Sequence, residues 1–539
     1  MATKMLLLLI HIYIFFIILI SRSEAADFDE LSATGGDISY WCKTTPHPEP
    51  CMYFLGHDSH NRPKNRAHFR QMLFQVTLDR ALHARNCTTR LGNECGSKRK
   101  KAAWDDCNRL LGDTIFQLNR TVQGTRRNTS RKGCSSFDAQ TWLSAALTNL
   151  ETCRSGSFEL NVTKFIAPIT TNNVSELISD CLAVNRAFLS HKKYIENDED
   201  PEFPSWVREG DRKLLQSSPW AWRANVVVAK DRSGQFTSIQ AAINYAAKVR
   251  RGHGRFIIYV KRGVYWENIE VGYNLNNIML VGDGMRYTVI SGSRSVARGF
   301  TTYSSATAGI DGIGFIARGI TFRNTAGPQS AQAVALRSAS DFSVFYSCGF
   351  EGYQDTLFVH AQRQFYKYCY IYGTVDFIFG NAAVVFQNCL IFVRRPLHGQ
   401  VNVITAQGRI DPNQNTGISI QYSVIKAAPD LKRVARHFRT YLGRPWQQFS
   451  RTVLLKTYID SLVSPQGWLA WENTNFAWDT LYYGEYKNFG PGSSTRNRVK
   501  WKGYHVIRSA NEASKFTVNK LIAGRTWLRA TGVPFSSGL

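Results

Sequence analysis

Apolar residues recur at helical spacing four times in the first part of the chain. The stripes are Phe69, Met72, Leu73, Val76; Leu111, Ile115, Leu118, Val122; Leu143, Ala146, Leu147, Leu150; and Leu177, Cys181, Val184, Phe188. Four amphipathic stripes of this length predict an all-α four-helix bundle. None of them carries a catalytic pattern, and the basic cluster Lys98 to Lys101 reads as a solvated loop. From Val226 onward the stripes give way to short β-rich runs, among them Phe256 to Val260, Ile278 to Val281, Ile320 to Phe322, Val384 to Phe386 and Ile418 to Ile420, punctuated by Gly, Asn and Asp.

The second region has an internal period. Cys348, Gly352 and Asp355 repeat as Cys369, Gly373 and Asp376 at an offset of 21 residues, and Cys389 follows 20 later. Short strands repeating at this interval, with no helix between them, suit one coil of an all-β parallel β-helix. Equivalent positions then stack at the strand spacing of ~4.8 Å. Cys348 and Cys369 are expected to form a disulfide, since bridged Cα atoms lie ~4.4 to 6.8 Å apart. Cys389 reads as a buried thiol of the same stack. Asp355 and Asp376 stack by the same arithmetic, and Gln332, 22 residues before Gln354, adds an amide on the preceding coil. Two carboxylates and two amides are thereby predicted on one patch.

Composition divides the chain in the same way. Of 539 residues, 66 are Lys or Arg and 40 are Asp or Glu, a net charge of +26. Residues 26–215 contribute only +3 and residues 216–539 contribute +22. A polyanionic partner is therefore expected to meet the second region. At the N-terminus Lys4 precedes the apolar run Met5 to Ile20, and Ser23-Glu24-Ala25 supplies small residues at a cleavage spacing. The competing reading is a membrane anchor, but this run of 16 residues falls short of the ~20 that a bilayer needs. Eight of 11 cysteines and the sequons Asn86, Asn119, Asn128, Asn161 and Asn173 lie before residue 200, consistent with an oxidising, secretory compartment. Pro201, Pro204 and the dibasic Arg212-Lys213-Leu214-Leu215 mark an exposed linker. The expected division is a signal peptide at 1–25, the bundle at 26–200, a linker with a processing site at 201–221 and the β-helix at 222–539.

Carboxylates one coil apart cannot both ionise easily, so one pKa rises and the pair divides into a proton donor and an ionised base or nucleophile. Such a pair serves acyl or glycosyl transfer, with uncharged Gln amides to hold a developing oxyanion. The competing reading is a polar ladder capping coil turns. Arg444, in Leu442-Gly443-Arg444-Pro445-Trp446, is a candidate to fix the ionised Asp. Trp446 and Trp468 are candidate sugar-stacking platforms or, alternatively, core residues. No G-x-S-x-G elbow, H-E-x-x-H motif, Walker loop or complete dinucleotide fingerprint occurs, and His360 reads as structural. No metal and no cofactor is implied.

Five segments together resemble the signature blocks of plant pectin methylesterases, in order: Gly263-Val264-Tyr265-Trp266-Glu267, Gln332-Ala333-Val334-Ala335-Leu336, Gln354-Asp355-Thr356-Leu357, Asp376-Phe377-Ile378-Phe379-Gly380 and the Leu442 to Trp446 segment. The family's fold is a right-handed parallel β-helix. The first region is similar to the pectin methylesterase inhibitor domain, through Cys42-x8-Cys51, Asp106-Cys107 and the Thr141 to Asn149 segment leading to Cys153. That resemblance implies Cys42–Cys51 and Cys107–Cys153 bridges and leaves Cys87, Cys95, Cys134 and Cys181 unsettled. It also makes Arg212 to Leu215 a processing site.

The resemblance implies roles for individual residues. Asp376 matches the nucleophile, Asp355 the acid and then base, Gln354 and Gln332 the oxyanion and substrate contacts, and Arg444 the residue holding Asp376. Trp446 and Trp468 match sugar-binding aromatics, and Thr302 a substrate contact. The implied activity is carboxylic ester hydrolysis of methyl-esterified homogalacturonan, in a monomer secreted to the plant cell wall, with the bundle restraining activity until it is cut off. A proteinaceous inhibitor and a processing protease are the further expected partners. Nucleic acid is not expected, nor a membrane after signal removal. The rival readings are a β-helix glycosidase acting on the same polymer and a non-catalytic wall-binding or inhibitor protein.

Overall fold

Each of the four stripes falls on one long helix, with only Phe188 just past a helix end, in a computed structural model that describes residues 37–56, 62–126, 133–189, 224–250, 252 and 254–539. The expected signal segment and the Arg212-Lys213 site lie outside the described residues. Two short helices, α1 (Ile38–Cys42) and α2 (Pro48–Gly56), precede α3 (Arg66–Leu91), α4 (Lys98–Arg126), α5 (Ser136–Glu159), α6 (Thr163–Thr170) and α7 (Val174–Arg186). Side-chain caps set several of the starts. Asn65 accepts from the His68 N–H, and Ser135 and Asp138 form a reciprocal capping box. Helices α3, α4, α5 and α7 close a ring around Phe69, Leu73, Leu111, Leu118, Leu143, Ala146, Leu177 and Cys181, all buried.

Two bridges staple this bundle, Cys42–Cys51 with Cα atoms 5.5 Å apart and Cys107–Cys153 at 4.7 Å. Cys87, Cys95, Cys134 and Cys181 are free thiols. The Lys98 to Lys101 cluster is not a loop but the first turn of α4. Ser97 accepts from the Lys100 N–H and starts the helix there, and Lys101 pairs with Asp105 one turn on.

The second region winds into a right-handed parallel β-helix. Among the described residues each central coil contributes one strand to each of three parallel sheets, called I, II and III here, and with the incomplete end coils these reach eleven, eight and seven strands. One coil runs Arg363–Lys367 in sheet I, Tyr370–Gly373 in sheet II and Ile378–Gly380 in sheet III; the next runs Ala383–Gln387, Leu390–Val393 and Asn402–Gln407. Leu357 pairs with Ile378, and Gly349 with Tyr370 and then Leu390, which are the predicted offsets of 21 and 20 residues. Apolar residues of all three sheets fill the interior. Phe345, Tyr366 and Phe386 stack there with ring centres 4.7 and 4.6 Å apart. Helix α8 (Ile239–Val249) buries Ile239, Ala242, Ile243 and Ala246 over the first coil and covers an otherwise open end. Among the described residues no helix is long and apolar enough to cross a membrane.

The predicted Cys348–Cys369 disulfide is absent: Cys348, Cys369 and Cys389 are all free and buried. They do occupy equivalent positions, but stacking is not bridging. Parallel side chains in register keep their Cβ atoms near the ~4.8 Å strand spacing, whereas a disulfide draws them to ~3.8 Å. The Cys348 thiol instead donates to the Tyr346 carbonyl, and that of Cys369 to the Phe345 and Lys367 carbonyls.

Candidate active site

Chain reversal between sheets II and III positions the two acids. Gly352 and Gly373 make the reversal possible, because a Cβ on Gly373 would lie 2.1 Å from the Phe377 Cβ, and one on Gly352 would lie 2.6 Å from the Thr356 hydroxyl oxygen. Three residues after each glycine comes an acid with left-handed backbone, Asp355 at φ 60° and Asp376 at φ 50°. Asp tolerates this region better than most L-residues, and such strain persists where neighbours over-determine it. Here the Asp355 N–H donates to the Val375 carbonyl and the Thr374 N–H to the Tyr353 carbonyl. Arg394 clamps the upper loop, donating to the Gly352 carbonyl at 3.0 Å and the Tyr353 hydroxyl at 2.7 Å while lying over the Tyr353 ring.

Asp355 thus sits one coil from Asp376, both almost wholly buried. Arg444 donates through Nε to Asp376 Oδ1 at 2.8 Å and through Nη2 to Oδ2, a bidentate clamp. Thr302, Gln332, Gln354 and Trp446 line the same cavity, of about 230 Å³. Burial raises the pKa of both acids. For Asp355 the charges of Asp376 and Glu159 add to the rise, placing it well above the usual carboxylate range. For Asp376 the Arg444 guanidinium opposes burial directly. Both shifts are upward, and Arg444 acts most directly against that of Asp376, so of the two Asp355 keeps its proton the more readily.

Trp468 does not join this cavity. Its ring lies flat on Tyr483, with centres 4.1 Å apart, and is almost wholly buried at the edge of a neighbouring hollow, so it offers no open face for a sugar. It supports the Leu442 to Trp446 segment from beneath. Trp471 lines the cavity instead, with the Arg444 guanidinium 4.5 Å from its ring. The sequence reading also missed Phe358 and Phe379, which stack 4.3 Å apart on the outer face of sheet III beside Trp446. Each falls three residues after its aspartate, so the 21-residue period carried the signal for them.

One face of helix α5 covers the cavity. Thr152, Ser155, Gly156 and Glu159 form part of its wall, and Glu159 accepts from the Thr302 N–H at 2.7 Å. Beyond the cavity the contacts continue along polar positions of the same helix. Thr152 meets His360 Nε2 at 2.8 Å, Thr148 accepts from Asn381 and Thr141 from Asn415. Arg109 of α4 binds Glu270 and Asp311, and Asp138 accepts from Arg363. Burial at this interface pushes Asp106 up to about 6 and His360 down to about 3. Hydrogen bonds and ion pairs run through this interface, and Tyr303, Val334, Phe358 and Phe379 of the second region also join the apolar cluster of the bundle.

Comparison with known proteins matches both regions. A family model described as Pectinesterase matches residues 225–525, and one described as Plant invertase/pectin methylesterase inhibitor matches residues 36–184. A probable pectinesterase/pectinesterase inhibitor of Arabidopsis thaliana is 59% identical over 504 residues, 93% of each chain. Pectinesterase 2 of Citrus sinensis is 53% identical, covering 93% of this chain and 95% of its own. Among solved structures, pectin methylesterase from carrot shares 53% identity with a TM-score of 0.58, covering 60% of this chain and all of its own.

Proposed function

The chain belongs to the pectinesterase family and is a pectin methylesterase with an inhibitor-like pro-region; from this we propose how its own residues perform and restrain the hydrolysis. The Asp376 carboxylate attacks the C6 carbonyl carbon of a methyl-esterified galacturonosyl unit, and the Gln332 and Gln354 amides donate to the resulting oxyanion. The intermediate collapses by expelling the methoxy oxygen, which takes the Asp355 proton and leaves as methanol. Asp355, now a base, takes a proton from water, whose oxygen attacks the acyl carbon and frees Asp376 and a galacturonate carboxyl. Thr302, Arg444 and Trp446 orient the sugar and the nucleophile, and Trp471 replaces Trp468 in that role. The observation carrying this reading is the asymmetry of the stacked pair, with Arg444 clamped to Asp376 alone.

The pro-region acts as a cis inhibitor. Glu159 occupies a polar position beside Asp355, and the helix that carries it closes the groove a polymer must enter. Cleavage in the linker at 201–221 by a processing protease releases residues 26–200 and uncovers the domain at 222–539. Export to the plant cell wall, a monomeric state and control by a separate proteinaceous inhibitor complete the reading. Incubation with methyl-esterified pectin tests the chemistry: methanol is expected without new reducing ends, and Asp376→Ala is expected to abolish it. New reducing ends, or unchanged methanol release from that variant, contradicts the reading.

A further inference from the structure

We propose that the corner joining sheets I and II is a second binding surface, for unesterified and therefore anionic galacturonan, outside the catalytic groove. The proposal rests on the polymer being the substrate of this enzyme, and it concerns where the de-esterified part of the chain goes. From the middle of the β-helix onward, the residue after a sheet I strand turns the corner with left-handed backbone. Across six successive coils these are Ser347, Tyr368, Asn388, Tyr422, Lys456 and Lys487, with φ between 48° and 55°. Each of the first five donates its N–H to the last residue of the next sheet I strand, so the turn is regular along the axis.

That geometry is cheapest for Gly, which stands at the equivalent Gly319, and for Asn. Tyr and Lys are poor choices for it. Their repeated use points to a demand on the side chains rather than on the turn. The side chains are also organised in pairs. The Lys367 ammonium lies 4.6 Å from the Tyr368 ring centre, Lys456 lies 5.7 Å from Tyr422, and Lys487 lies 5.4 Å from Tyr486. Lys367 is itself held by Gln387 and Asn388. Lys367 and Tyr486 are buried and brace their partners, so the groups open to a ligand are the exposed Tyr368 and Lys487 and the half-buried Tyr422 and Lys456.

A tyrosine face packs against the C–H face of a pyranose, and an ammonium beside it meets the C6 carboxylate of the same or the next unit. Repetition at the ~4.8 Å strand spacing suits an extended polymer lying along the axis, so affinity should grow with polymer length. A methyl-esterified polymer offers the rings but not the charge. The pro-region contacts described above fall on sheet III, its flanking turns and the first residue of a sheet I strand, Arg363, whereas this corner lies at the opposite end of the sheet I strands.

The test measures binding of the full-length chain to immobilised unesterified polygalacturonate and to its methyl-esterified counterpart. Lys456→Gln with Lys487→Gln is expected to weaken retention on the unesterified polymer about tenfold. Tyr368→Asn with Tyr422→Asn, which keeps a residue suited to the left-handed turn, is expected to do the same. The control, Lys248→Gln with Lys432→Gln, removes equal charge from exposed sites away from this corner and is expected to change retention less than about threefold. Equal loss in control and corner variants means diffuse charge alone and overturns the proposal, as does undiminished binding by the tyrosine variant. Methanol release from a short methylated oligomer by the cleaved variants should match the parent. Failure of release in the parent itself counts against the catalytic reading and leaves the binding result to stand alone.

Discussion

Arg444 is the residue on which the division of labour between the two acids depends. It opposes the effect of burial on Asp376, so its loss should let that pKa climb. Asp376 must be ionised to attack. Arg444→Gln should therefore move the acid limb of the kcat/KM profile to higher pH as well as lowering kcat, whereas a residue that merely shaped the loop would lower activity without moving the limb. Removing one oxyanion donor, as in Gln354→Ala, should cost about 10²-fold in kcat with KM less affected. At this scale the sequence was informative wherever the coil period acted. Asp355, Asp376, Gln332 and Gln354 line one cavity because equivalent positions stack. It was uninformative for Trp468 and Trp471, three residues apart in an irregular segment, where no periodicity says which ring faces the groove and which lies on Tyr483.

Among the elements, the reversal between sheets II and III is the most constrained. Gly373→Ala would drive a Cβ into Phe377 and shift the backbone that carries Asp376. A lowered thermal midpoint, with destabilisation of about 2 kcal/mol or more, is expected together with a loss of activity. Helix α5 makes a second prediction. Asp106, raised to about 6, favours the docked state when protonated; its contribution is present below pH 4 and is lost as pH rises through 6. Glu151 and Glu159, also raised by burial, act in the same direction. His360 acts oppositely, since burial holds it near 3 and acid below its ordinary value near 6.5 costs the docked state. In His360→Gln the full-length chain should become steadily more inhibited from pH 7 to 4, and adding Asp106→Asn should flatten that trend. The apolar stripe of α5 showed its place in the bundle. Its polar positions had no such signature, because they answer to a surface far away in sequence.

At the scale of the molecule, two folds of different kind face each other through hydrogen bonds, ion pairs and a shared apolar cluster. The two-part division was visible in the sequence because helical stripes stop before a 21-residue period begins, and because nearly all the excess positive charge lies in the second part. How the parts dock was not visible, since no local pattern encodes contacts such as Arg109 with Asp311 or Glu159 with Thr302. The ionic share of that docking should weaken with salt, more for the half-exposed Arg109–Glu270 pair than for the more enclosed Arg363–Asp138 pair. The central claim is that stacked aspartates hydrolyse methyl esters once the bundle leaves their groove. Methanol release from methyl-esterified galacturonan, followed as the intact chain is cut within residues 201–221, tests it most directly. Release should be weak at first, rise with cutting and vanish throughout in Asp376→Ala. Equal release before and after cutting, or release that survives that substitution, would contradict it.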